Sequence, residues 1–260
     1  MASTCLTPDI VSDCGQALTR DGFLNGDVTA FQPRDGYRAA IDPVLLAAAI
    51  NPDMGQSVLE LGCGSGIALL CLCKRMTGVV ASGLEIYPFH VELARRNAVE
   101  NGLKIDIWYG DIANPPKDLL RNSFDFVIAN PPFRIKDRGK LPANESRRIA
   151  EVETVPLSVW LESAAQQLKS SGQLAMIIPP ARLPDLLCCL PGTTLGGVIE
   201  VKPVRARPDR AAVRLLLRAH KTSSPLDFVL LPDLILHTND GNKFSPEAES
   251  ILRNASRIEF

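Results

Sequence analysis

The chain has 260 residues, 46% of them hydrophobic and 22% charged, with a formal net charge of −1. That balance belongs to an ordinary globular protein with room for one α/β domain and an ample core; it excludes a mostly disordered chain and one that coats nucleic acid by bulk charge. No run approaches the roughly 18 apolar residues of a membrane span, and the N-terminus lacks the basic-then-apolar layout of a signal peptide, so the expected address is the cytosol.

Residues 1 to about 30 mix Thr, Asp, Gly and Asn without sustained periodicity and read as a short extension. Phe31-Gln32-Pro33-Arg34-Asp35-Gly36-Tyr37-Arg38 is turn-rich. Asp42 and Pro43 then read as the N-cap and first position of a helix that ends near Asn51-Pro52. From Ser57 the pattern becomes strand (Ser57–Leu61), glycine turn (Gly62–Gly66) and helix (Ile67–Met76). A second strand, Val79–Leu84, ends at Glu85, and a helix from Pro88 to Asn101 is stopped by Gly102. A third strand, Lys104–Tyr109, ends at Gly110-Asp111, and a fourth, Phe126–Ala129, ends at Asn130-Pro131-Pro132-Phe133.

A helix over Pro156–Lys169, a strand over Gly172–Ile178 and a helix over Ala181–Leu190 continue the alternation. Val198–Val204 and Ala212–Ala219 follow with only a short basic loop between them, so they are expected to pair antiparallel. The tail, Leu226 to Phe260, carries a short strand pair and a helix starting at Ser245-Pro246-Glu247. Strands alternating with helices predict a sheet wrapped on both faces. A mostly parallel seven-stranded sheet that closes in an antiparallel hairpin is the pattern of the α/β, Rossmann-like class I methyltransferase fold. With no repeat and no linker, the expectation is one structural unit: an N-terminal extension and helix (1–50), the methyltransferase domain (51–221) and a C-terminal extension (222–260).

Three acids stand at successive strand ends, on the side where open α/β sheets bind ligands. Glu60 precedes Gly62-Cys63-Gly64-Ser65-Gly66, whose glycines let a ligand lie against the backbone. The spacing is GxGxG and not the GxGxxG of a dinucleotide site, and the carboxylate suits a ligand with an ammonium group. Glu85 is placed to accept both hydroxyls of a ribose, and Asp111 to accept from the exocyclic amine of an adenine. Any one of them alone is an ordinary turn residue; together they match the ammonium, ribose and adenine of S-adenosylmethionine. At the fourth strand end two prolines stiffen the turn, Asn130 offers an amide, the Asn130 and Pro131 carbonyls lack local donors, and Phe133 supplies a flat face: a grip for a planar group bearing an NH2.

Seven cysteines without a CxxC pair, mostly inside apolar runs, read as reduced core thiols, and three scattered histidines give no zinc pattern. Two basic clusters are candidates to meet phosphates or to be solvated loops: Arg134, Lys136, Arg138, Lys140, Arg147 and Arg148, and the seven basic residues from Lys202 to Lys221, among them Arg207.

Glu60 to Gly66, Glu85 and Asp111 resemble the S-adenosylmethionine motifs of class I methyltransferases, and Asn130-Pro131-Pro132-Phe133 resembles the motif of those that methylate a planar nitrogen. Phe31 to Arg38, Ile41 to Ala47 and Arg207-Pro208 through Arg218-Ala219 extend the likeness, over roughly residues 28 to 255, to the bacterial tRNA1(Val) adenine N6-methyltransferase family, which modifies the purine beside the anticodon. The resemblance implies S-adenosylmethionine as cofactor and tRNA as partner, with no metal and no membrane. It assigns Asn130, Pro131 and Phe133 to catalysis; Glu60, Gly62, Cys63, Gly64, Gly66, Glu85, Ile86, Asp111 and Ile112 to the cofactor; and Tyr37, Arg38, Arg134 and Arg207 to the acceptor, with packing of the N-terminal turn as the alternative for Tyr37 and Arg38. Relatives acting on rRNA guanine or protein glutamine share the Asn-Pro-Pro core, so those acceptors stay open, as does a protein that binds a nucleotide without catalysis.

Overall fold

The computed structural model describes residues 15–35, 38–119, 121, 123–132, 155–239, 241 and 243–260. Its first element corrects the reading of an unpatterned extension: β1 (Leu18–Phe23) and β2 (Val28–Pro33) pair antiparallel as a hairpin. Asn25 and Gly26 take positive φ in the turn, at 57° and 98°, the conformation that favours Asn-Gly between strands. Helix α1 (Asp42–Ala48) starts where expected, but Asp42 makes no side-chain cap. Its Oδ2 accepts a hydrogen bond from Arg214 Nε at 2.9 Å instead.

The sheet is built by β3 (Ser57–Leu61), β4 (Val80–Glu85), β5 (Ile105–Tyr109), β6 (Phe124–Ala129), β7 (Leu168–Ile178), β8 (Leu195–Arg205) and β9 (Ala212–Lys221), interleaved with α2 (Ile67–Arg75), α3 (Pro88–Glu100), α4 (Leu157–Gln167) and α5 (Leu183–Cys189). Strand order is β5-β4-β3-β6-β7-β9-β8, parallel from β5 to β7 and antiparallel on either side of β9. This is the expected class I methyltransferase sheet. The tail's two short strands, β10 (Asp227–Leu230) and β11 (Leu234–Ile235), do not pair with each other; both run parallel along the outer edge of β8 and widen the sheet to nine strands. A final helix, α6 (Pro246–Asn254), is capped as expected, with Ser245 Oγ accepting from the Ala248 N–H at 3.0 Å.

Helices on both faces explain why the central strands are near-continuous apolar runs. Val58, Ile128, Ala175 and Ile177 meet α1, α2 and α6 on one face, while Leu59, Leu61, Val127, Ala129 and Met176 meet α4 and α5 on the other. The period of two sets Glu60 on the Val58 side, facing α2.

The hairpin is fastened to this body by Asn97 of α3, which is fully buried. Its Oδ1 accepts from the Phe31 N–H at 2.7 Å, and its Nδ2 donates to the carbonyls of Phe31 and Ser65 at 3.1 and 2.9 Å. One side chain thus ties the hairpin to the glycine turn. Asn97→Ala strands three backbone groups, the two of Phe31 buried and that of Ser65 part-buried, and is expected to destabilise the chain by about 3 kcal/mol, read as a lower urea midpoint at unchanged slope.

Candidate active site

Strand β3 lies between β4 and β6, at the point where strand order reverses, and open α/β sheets form a crevice there. The crevice is a cavity of about 380 Å³ whose wall includes Glu60, Gly62, Cys63, Gly64, Glu85, Ile86, Tyr87, His90, Asn130, Pro132 and Trp160. Its floor is the glycine turn. Gly62, Gly64 and Gly66 all have positive φ, between 53° and 81°, and nothing lies within 4 Å of where a Gly64 Cβ would stand. At Gly62 the added carbon would sit 2.7 Å from the Trp160 ring. Gly62→Ala therefore displaces Trp160 from the cavity wall and strains the turn. The expected result is folded protein whose thermal midpoint no longer rises when cofactor is added.

Two carboxylates enter the cavity from adjacent strands. Glu85 is held by its surroundings: Oε2 accepts from the Gly64 N–H and Oε1 from the Tyr87 N–H, each at 2.8 Å. Burial still pushes its pKa up, against those donors. Glu60 is 4% exposed, and its Oε2 has no partner. Burial, and after it the charge on Glu85, pushes the Glu60 carboxyl well above the usual carboxylate range. The same burial and the two acids push the Cys63 thiol up, so it is a packed neutral group against Gly83 and not a nucleophile. His90, pushed down to about 4 by burial, is a neutral wall residue edge-on to Tyr87.

Across the cavity, Leu61 pairs with Ala129, so Asn130 stands beside Gly62, one strand spacing away. Asn130 Oδ1 is buried and has no hydrogen-bond partner, and neither has the Trp160 indole N–H. A buried carboxylate oxygen, amide oxygen and indole N–H left unpaired around one cavity mark a site shaped for a polar ligand.

A family model described as the methyltransferase small domain matches residues 41–183, from α1 to the start of α5. The chain belongs to this methyltransferase family. A tRNA1(Val) (adenine(37)-N6)-methyltransferase of Porphyromonas gingivalis is 32% identical over 81% of this chain and 85% of its own. One of the same name from a Shewanella species is 27% identical over 80% of this chain and 87% of its own. In fold, the methyltransferase resembles the crystal structure of a predicted O-methyltransferase from Agrobacterium tumefaciens, with a TM-score of 0.67, 24% identity and coverage of 84% and 98% of the two chains. It is an S-adenosylmethionine-dependent enzyme.

The residues present fit that cofactor: a buried carboxylate with one unpaired oxygen for an ammonium, a carboxylate at the next strand end, and a turn whose Gly64 leaves open space. Of the positions singled out from sequence, Glu60, Gly62, Cys63, Gly64, Glu85, Ile86 and Asn130 line the methyltransferase cavity. Gly66 supports it from behind, packed on Ala94, and Pro131 is buried beside it. Asp111 and Ile112 do not line it: Asp111 Oδ1 accepts from the Ala113 N–H of its own turn, and Ile112 is packed in the core.

Two side chains assigned to the acceptor have partners within the chain. Arg38 is paired with Asp21 of the hairpin at 2.8 Å, and Arg207 donates to the carbonyls of Thr238 and Gly241, each at 2.7 Å. Tyr37, Phe133 and Arg134, with the basic cluster that follows, lie outside the described residues. Sequence reasoning missed Tyr87, His90 and Trp160. Tyr87, two residues beyond Glu85, was findable; Trp160 reads as one more apolar residue of a helix. The thiols are also less uniform than expected, since Cys188 is exposed. Among the described residues no group of three His, Cys, Asp or Glu side chains is placed to hold a metal, and no helix is long and apolar enough to cross a membrane.

Proposed function

We propose that this methyltransferase acts on the exocyclic N6 of an adenine in tRNA, position 37 of tRNA1(Val) being the one carried in its relatives' names. The observation that carries the reading is the unpaired, buried Oδ1 of Asn130 beside Gly62, in the same cavity as Glu60 and Glu85. An exocyclic amine is a poor nucleophile because its lone pair is delocalised into the ring. Asn130 Oδ1 and the Pro131 carbonyl each accept one of its N–H bonds, which draws the nitrogen toward a tetrahedral shape and points the lone pair into the cavity. The cofactor supplies an electrophilic methyl. Glu60 holds its ammonium and Glu85 its ribose hydroxyls, and the rate comes from positioning. In the tRNA the base is unstacked or flipped to reach the site, and tRNA as substrate places the enzyme in the cytosol.

The test is mass spectrometry of nucleosides from unmodified tRNA incubated with enzyme and cofactor. N6-methyladenosine is expected; label appearing only in rRNA guanine or protein glutamine overturns the acceptor.

A further inference from the structure

We propose that Arg210 of the β8–β9 loop and Lys243, ahead of α6, lie on one surface that binds the tRNA backbone to one side of the reacting base. The proposal rests on the tRNA reading above. β8 is antiparallel to β9, which is antiparallel to β7, so β8 runs with β6 and its end at Arg205 lies on the same edge of the sheet as Asn130. The registers set Asn130 level with Lys202, three strand spacings or about 14 Å away, and Arg205 lies three residues, about 10 Å, further along β8. The link to the cavity is also direct: Arg214, at the start of β9, is paired with Asp42, whose neighbour Pro43 lines the cavity.

Described residues of the two loops are joined by hydrogen bonds. The Leu236 and His237 N–H groups donate to the carbonyls of Arg205 and Ala206 at 2.8 and 3.0 Å. Arg207 spans the gap to the carbonyls of Thr238 and Gly241. His237 stacks on Phe244, with ring centroids 5.0 Å apart, and closes the second loop. Arg207 is therefore a positioning residue. The cations left exposed beside it are Arg210, 72% exposed, and Lys243, in loops whose sequence also carries the acids Asp209 and Asp240. Asp209 stands 3.8 Å from Arg210 but is itself 67% exposed, too solvated to neutralise it. Two cations on a braced ledge at the acceptor side of the cavity suit phosphates, which fix register without reading sequence.

The experiment compares the full chain with an Arg210→Ala/Lys243→Ala double variant, by fluorescence anisotropy on unmodified tRNA at several salt concentrations. Both residues are exposed, so the variant keeps its thermal midpoint. Two lost phosphate contacts predict about a tenfold weaker complex at low salt and a slope of log K against log salt shallower by about 1.4–1.8. A Lys74→Ala/Lys104→Ala variant, equal in charge but placed elsewhere, is expected to keep the slope. If wild type binds tRNA and the Arg210/Lys243 variant matches it in affinity and slope, the surface is overturned alone; if wild type itself does not bind tRNA, the acceptor reading falls and takes the surface with it.

Discussion

Asn130→Ala is expected to lower kcat for tRNA methylation by about 10³-fold while leaving S-adenosylmethionine affinity within about twofold of wild type. The split follows from where the side chain stands. Asn130 follows β6 and lines the cavity beside Gly62 with a partnerless Oδ1, so among the described residues that oxygen holds no other part of the protein. Its oxygen is available only to an incoming amine. Removing it leaves one N–H of that amine unaccepted as the nitrogen changes shape, a loss felt in the transition state and not in cofactor binding. Single-turnover transfer of labelled methyl to tRNA, with calorimetry of cofactor binding on the same preparation, checks both halves. Wild-type turnover by the variant sinks the assignment, and a matching loss of cofactor affinity moves Asn130 to the cofactor's side of the cavity.

What was legible in the sequence is what strand-end chemistry writes locally. Glu60 and Glu85 close apolar runs that can only be buried strands, and the prolines after Asn130 fix a turn wherever the chain places it. The rest is tertiary. The β1–β2 hairpin carries an Asn25-Gly26 signal, yet its strands are polar enough to pass for a loose extension, and what holds them is Asn97, 66 residues beyond Phe31. The run from Lys202 to Lys221 reads as a cluster that meets phosphates or is a solvated loop, but Lys202 is buried, Arg214 is paired with Asp42, Arg218 with Glu200, and Arg207 bonds backbone carbonyls. Charge counted along a chain does not reveal which cations are already engaged. Trp160 gave no signal because its place in the cavity depends on how α4 lies over Gly62.

Glu60→Gln is expected to stabilise the empty enzyme and to weaken the cofactor complex by about 100-fold, two effects with one origin. The buried Glu60 carboxyl has its pKa pushed up, by burial first and by Glu85 second. The folded state therefore holds a proton that the unfolded chain gives up at the ordinary carboxylate value. That proton's contribution to stability is fully present below the unfolded pKa and is lost as pH rises through the raised one. At pH 8 the empty wild type is thus the less stable protein, and Glu60→Gln should raise its melting midpoint by about 2–6 °C, while at pH 4 the two should melt together. A cationic ammonium reverses the balance: it stabilises the charged carboxylate, so binding must expel the proton, and wild-type affinity should climb with pH across the same window. A neutral amide has no proton to lose and no charge to offer. Its complex should be weaker by about the cost of an unmatched buried charge, and insensitive to pH. Calorimetry in two buffers of different ionisation enthalpy reads the released proton directly. If Glu60→Gln binds as tightly as wild type, or keeps its pH dependence, the ammonium is held elsewhere and Glu60 is strain without function.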